Sequence, residues 1–320
     1  MKIVVFGATN PTGGPFALVQ LYEAMVNLGI STEMVFFDHV NFVETPECMY
    51  AQYADPGVTN AELLGIKPKV AARVSKSDWL IFPEVQIQTA QNLFERGYTN
   101  IVIWWLSWEN APLSLLRRFD ISLLLRGSIH IFQSSYARSM ARGYGYDGPI
   151  VSDYTVLPEH QVKPSIKSLD ICVLAAKSKG AKQCLDILSH THSVKLIEKM
   201  TRDEVWNVLR GARYFLDFGG HPGKDRLPRE AILVDCIPVV RRVGAATHYA
   251  DVPLPDFLKV DDALMSDAEG LGTLLRSLEL RRAEVLESLR HARLQILKER
   301  QTFLEEVSSF LNGCLHIRCE

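Results

Sequence analysis

The densest concentration of chemically able side chains is Lys224, Asp225, Arg226 and Glu230, in the run His221-Pro222-Gly223-Lys224-Asp225-Arg226-Leu227-Pro228-Arg229-Glu230-Ala231. An apolar stretch, Phe215-Leu216-Asp217-Phe218, and a Gly219-Gly220 break precede it. The order reads as strand, glycine-rich basic loop, helix, and then a strand at Cys236-Ile237-Pro238-Val239-Val240, with Pro228 in the first helical turn. Such a loop suits phosphate, because backbone N–H groups and the positive end of the helix dipole face it, and Lys224 and Arg226 add full charge. Glu230 cannot help to bind phosphate, but its oxygens accept hydrogen bonds from the vicinal hydroxyls of a ribose. Cations and carboxylate together point to a nucleotide. The plain alternative is a solvated surface turn; the crowding of these residue types between two strands, where open α/β sheets carry ligands, argues against it.

A second set of polar residues lies directly past apolar strands. Trp79-Leu80-Ile81-Phe82 ends at Pro83-Glu84, and Ile101-Val102-Ile103-Trp104-Trp105 ends in Leu106-Ser107-Trp108-Glu109-Asn110. Residues past strand ends occupy the functional edge of a parallel sheet, so Glu84, Ser107, Glu109 and Asn110 are candidates for substrate contact. Trp104 and Trp105 are read first as core, with a ligand-facing wall as the alternative. The opening loop Gly7-Ala8-Thr9-Asn10-Pro11-Thr12-Gly13, followed by Asp38 at the end of the next strand, imitates a dinucleotide fingerprint. Asn10 stands where close approach of a pyrophosphate needs glycine, which leaves an NAD(P)-dependent reductase as the lesser reading.

The elements around these residues form two α/β series. Ile3 to Phe6, a helix from Phe16, and Glu33 to Phe37 make an opening βαβ unit, and His130 to Ser134 gives a further strand, with Ser134-Ser135 capping the next helix. Apolar runs stop near 158–168, and a second series starts at Asp170-Ile171-Cys172-Val173-Leu174, passes a small basic loop from Ala175 to Gly180, and runs to the organising loop. Thr201 caps a helix with Asp203 and Glu204 in its first turn. Residues from Leu271 to Leu311 carry leucines at helical spacing without a strict heptad, one helix or two. The expected fold is α/β with two Rossmann-like domains facing across a cleft, residues 1–160 and 165–290, and a long helical segment, 291–320, packing back toward the first.

Composition narrows the partners. At 320 residues there is room for two cores, and a net charge of −2 leaves no general basic surface for nucleic acid. Six cysteines, at 48, 172, 184, 236, 314 and 319, show no zinc-site spacing and are expected to be reduced thiols of a cytoplasmic protein. No signal-peptide pattern and no membrane-spanning run is expected. A cytoplasmic location, with the inner face of a membrane open to it, follows.

The chain resembles small bacterial glycosyltransferases of the two-Rossmann, GT-B architecture, of the kind found with surface-polysaccharide genes. The resemblance rests on Gly13-Gly14-Pro15, Pro83-Glu84, Trp104-Trp105-Leu106-Ser107, Gln133-Ser134-Ser135-Tyr136-Ala137, Lys177-Ser178-Lys179-Gly180 and, most specifically, Asp217 through Arg226 continuing into Pro228-Arg229-Glu230-Ala231. It implies transfer of a sugar from a nucleotide-sugar donor, a UDP- or GDP-sugar, to a saccharide or lipid-linked acceptor, with no cofactor and no metal. It implies donor-binding roles for Gly14, Lys177, Lys179, Lys224, Asp225, Arg226 and Glu230, and acceptor-binding roles for Trp104, Ser107 and Asn110. Glu230 matches the final glutamate of the E-x₇-E motif of retaining members, which contacts the ribose, while Pro222 stands at the first. An inverting enzyme would need a base, for which Glu109 and Glu84 are the candidates ahead of His39; a retaining one would need none, and the two acids would orient the acceptor. A non-catalytic partner of the same architecture is the remaining alternative.

Overall fold

The structure, a computed structural model, describes residues 1–10, 12–53, 65, 67–157, 166–174 and 181–317. They separate into two compact units, the first of residues 1–154, 222–224 and 300–320, the second of residues 155–221 and 225–299.

In the first unit, β1 (Ile3–Gly7), α1 (Gly13–Asn27) and β2 (Thr32–Phe36) open the fold. An antiparallel hairpin and edge strand follow, β3 (Val40–Glu44), β4 (Cys48–Tyr53) and β5 (Arg73–Ser75). Then come β6 (Trp79–Pro83), α2 (Ile87–Glu95), β7 (Ile101–Trp105), α3 (Phe119–Gly127), β8 (Ile129–Phe132) and α4 (Ser135–Arg142). The main sheet is parallel, in the order β2-β1-β6-β7-β8. Continuous apolar sequences such as Ile3-Val4-Val5-Phe6 and Ile101-Val102-Ile103-Trp104-Trp105 are what strands covered on both faces need, and each of these residues is buried. Phe303, Val307, Phe310 and Leu311 of the last helix are buried as well. Within the first unit, the Tyr154 ring lies 5.5 Å from that of Phe303, and Glu306 accepts the Ser152 N–H at 2.7 Å.

The second unit carries β9 (Leu169–Leu174), α5 (Lys182–Leu188), β10 (Val194–Ile197), α6 (Arg202–Gly211), β11 (Ala212–Asp217), α7 (Arg226–Leu233), β12 (Ile237–Arg241) and β13 (Lys259–Val260). Its sheet is also parallel, in the order β10-β9-β11-β12-β13. The chain runs outward from β9 to β10 and then returns to place β11 on the other side of β9. That reversal is a topological switch point, and open α/β sheets bind ligands outside the carboxyl ends of the strands at such points. The loop leaving β11 is the cationic run that contains Lys224.

Local signals explain several boundaries. Thr201 and Glu204 form a reciprocal capping box at α6, and Ser134 accepts the Ala137 N–H at the start of α4. The C-terminal leucine pattern, expected as one helix or two, is divided into α8 (Ala268–Leu280), a short helix at Arg282–Ser288, and α9 (Arg290–Cys314). The five described cysteines are free thiols, and among the described residues no helix is long and apolar enough to cross a membrane.

Candidate functional site

The loop after β11 is tightly wound. Asp217 closes the strand and accepts the Gly219 N–H at 3.1 Å. His221 is fully buried in a left-handed conformation, φ 45°, that favours glycine. Its carbonyl accepts the Ala245 N–H at 2.8 Å, and a Cβ on Gly244 would lie 2.3 Å from that same carbonyl oxygen, so no side chain fits at 244. The imidazole Nδ1 bonds Asp225 Oδ2 at 2.8 Å, and Nε2 has no hydrogen-bond partner among the described residues. Asp225 is the N-cap residue of α7, yet its carboxylate makes no capping bond; it faces His221 instead. The first turn of α7 therefore keeps its dipole uncompensated by a side-chain cap, with Lys224 and Arg226 half-buried beside it. Asp217, His221 and Asp225 each bring one ligand atom within 4.8 Å of the others, a group that could hold a metal ion.

Glu230 sits one turn further along α7 and is only 4% exposed. Burial pushes its carboxyl up, against the pull of Arg226, Arg202 and Arg229. Arg202, the first residue of α6, places Nη2 3.8 Å from Glu230 Oε1 and donates the same nitrogen to the Val156 carbonyl. Arg229 points the other way: it pairs with Glu299 at 2.8 Å and donates to the Asp225 carbonyl at 3.2 Å, and Glu299 also accepts the Thr155 N–H at 2.9 Å. The structure thus gathers Asp225, Arg226 and Glu230 on the first two turns of α7. It adds Arg202, Arg229 and Glu299, which the sequence reading did not single out. One signal for Arg202 was available, a cation in a helical first turn otherwise occupied by Asp203 and Glu204, against the dipole preference. Lys177 and Lys179 lie outside the described residues.

In the first unit, the candidates meet at Leu106 and Ser107. Glu84, following β6, is buried and accepts the Leu106 N–H at 2.9 Å. Desolvation pushes its carboxyl up to about 8, against N–H groups of Leu106, Glu84 and Ser107 that pull it down. The Ser107 hydroxyl is buried without a hydrogen-bond partner among the described residues. A Cβ on Gly14 would stand 3.6 Å from the Leu106 side chain, an ordinary contact. The segment Pro222–Lys224 belongs to this unit. Trp108 N–H donates to the Pro222 carbonyl at 3.1 Å, Lys224 N–H to Gln133 Oε1 at 3.2 Å, and a Cβ on Gly223 would fall 2.4 Å from the Leu106 carbonyl oxygen. Glu109 and Asn110 are exposed, and Glu109 accepts the Tyr136 hydroxyl. Trp104 is fully buried, its indole N–H donating to the Val151 carbonyl at 3.1 Å, which makes it a support of the sheet. Asp38 accepts both the N–H and the hydroxyl of Thr9, at 2.9 and 2.7 Å.

Two Rossmann-like domains with parallel sheets and a terminal helix define the GT-B class of fold. Among solved structures, a sucrose-phosphate synthase from Thermosynechococcus elongatus is similar with a TM-score of 0.64 at 10% identity, over 99% of both chains. A UDP-forming α,α-trehalose-phosphate synthase from Burkholderia xenovorans, in complex with glucose-6-phosphate, gives 0.60 at 14% identity, over 96% of this chain and 100% of that one. The E. coli trehalose-6-phosphate structure bound with UDP-2-fluoro glucose gives 0.57 at 12%, over 96% and 99%. At these identities the likeness is one of fold. No family model matches the sequence, and no curated protein matches it.

Proposed function

We propose that the chain transfers a glycosyl group from a nucleotide sugar to a hydroxyl acceptor. The observation that carries this reading is the loop at the switch point of the second sheet. It joins a helix start without a side-chain cap, Arg226 and a buried carboxylate on the same short helix, and Lys224 precedes that helix in the chain. Departure of a nucleoside diphosphate from the anomeric carbon builds negative charge on phosphate. Lys224 and Arg226, fixed before the reaction, lower the barrier by stabilising that charge, and Glu230 takes the ribose hydroxyls. Lys177 and Lys179 of the basic loop are assigned to the same diphosphate. Asp38 is already engaged by Thr9, which weighs against a dinucleotide site at the opening loop.

On the acceptor side, Glu109 is the exposed carboxylate and is assigned as the base if the reaction inverts. Glu84, with its carboxyl near 8 and bonded to the Leu106 N–H, is assigned to holding the Leu106–Ser107 turn. Ser107 and Asn110 are assigned to the acceptor itself. UDP-sugars come first among donors, because a neighbour of the same fold is bound with UDP-2-fluoro glucose. Acceptors include sugar phosphates, after the glucose-6-phosphate complex, beside the saccharide and lipid-linked acceptors of surface-polysaccharide synthesis.

The test is a thermal-shift panel of UDP, GDP, CMP, ADP, NADH and NADPH, since a ligand of the folded state raises its midpoint by mass action. A shift with a nucleoside phosphate, followed by release of that nucleotide from its sugar conjugate on adding acceptor, is expected. A shift with nicotinamide cofactors alone would overturn the reading.

A further inference from the structure

We propose that Arg202 is a positioning residue of the donor site, holding the Glu230 side chain as a carboxylate so that it can accept hydrogen bonds from the ribose diol. The inference rests on the ribose role given to Glu230 above. A protonated carboxyl would spend one oxygen as a donor and present the wrong partner to a pair of hydroxyls. Glu230 occupies a site that favours this unwanted form, because it is 4% exposed.

Three guanidinium groups act on its charge, and they differ in what else they do. Arg229, from α7, is committed to Glu299 at 2.8 Å and to the Asp225 carbonyl. Arg226, the first residue of α7, is assigned to the diphosphate. When a diphosphate arrives, its negative charge offsets Arg226 and at the same time repels a nearby carboxylate, so both effects push Glu230 toward protonation as the ligand binds. Arg202 comes from a different element, α6, and is held by the Val156 carbonyl with Nη2 3.8 Å from Glu230 Oε1. It remains to balance Glu230 when Arg226 is shared. The acids on the approach are Asp203, beside Arg202 on α6, and Asp225 and Glu299, bonded to His221 and Arg229. A cation at the start of a helix opposes the dipole, a cost that the contact with Glu230 accounts for.

The test is calorimetric titration of UDP, GDP and ADP into wild type, Arg202→Met, Arg202→Lys, Glu230→Gln and the Arg202→Met/Glu230→Gln double variant, from about pH 5.5 to about pH 8.5. With the nucleotide that wild type binds, Arg202→Met should be weaker by several-fold near the acid end and by clearly less near the alkaline end, because losing the guanidinium pushes the Glu230 carboxyl further up. Arg202→Lys should recover most of the acid-end affinity. In the Glu230→Gln background the deficit should no longer change with pH. A deficit of constant size across the range, or none, overturns the proposal while leaving the donor site intact. Unchanged affinity in Glu230→Gln, or no nucleotide bound by wild type, overturns the ribose reading and this proposal with it.

Discussion

Arg229 and Glu299 form a buried ion pair, 2.8 Å long, with Arg229 2% exposed. The pair ties α7 to the third turn of α9, and the same Glu299 oxygen accepts the Thr155 N–H. Replacing Glu299 by Gln removes the carboxylate that balances a desolvated guanidinium. Breaking such a pair destabilises by roughly 3–5 kcal/mol, so Glu299→Gln should lower the urea midpoint well beyond the effect of a surface substitution. An unchanged midpoint would show that the pair contributes nothing net.

Glu84 makes stability depend on pH. Its carboxyl titrates at about 8 in the folded protein against 4.5 ordinarily. A raised folded value means the contribution is fully present below pH 4.5 and is lost as pH rises through about 8. The gap corresponds to a few kcal/mol, on the order of 5 at most. Glu84→Gln keeps an oxygen for the Leu106 N–H and carries no ionisable proton. Chemical denaturation at several pH values should therefore show the variant gaining on wild type as pH rises from about 5 to about 8.5.

Gly223 is required by contact, since a Cβ there would meet the Leu106 carbonyl oxygen at 2.4 Å and Gln133 Oε1 at 2.7 Å. Gly223→Ala should cost about 1–3 kcal/mol of stability through overpacking and displace Lys224 from its bond to Gln133. Thermal denaturation measures the first, and nucleotide affinity the second.

Lys224→Ala and Arg226→Ala should each weaken nucleoside diphosphate binding by about 1.5–3 kcal/mol if the cations make charge-assisted contacts. Nucleoside affinity should change far less. Equal loss for nucleoside and diphosphate would mean that these side chains do not meet phosphate.

Features written in adjacent residues were legible in the sequence. The Thr201–Glu204 capping box, the Ser134 cap and the apolar strands before Glu84, Glu109 and the cationic loop all depend on neighbours a few positions apart. Features made by distant residues were not. Arg202 meets Glu230 across two elements, Arg229 finds Glu299, and Gln133 reaches Lys224. Glu84 shows a further limit. A polar residue past a strand reads as a candidate for substrate contact, yet Glu84 is buried, and the turn at Leu106 and Ser107 supplies N–H groups that make its burial tolerable. The antiparallel strands β3 to β5 also escaped notice, since alternation there is weak: residues 40–44 carry no buried position.

The first unit opens with residue 1 but includes residues 222–224 and 300–320. On the ribosome, its sheet emerges long before the helix that carries Phe303, Val307, Phe310 and Leu311. At about 5–20 residues per second, completion lags by on the order of ten seconds. Through that interval the nascent unit lacks Phe303, Val307, Phe310 and Leu311, and Tyr154 waits without the ring of Phe303, so this is the stage at which a chaperone would engage it.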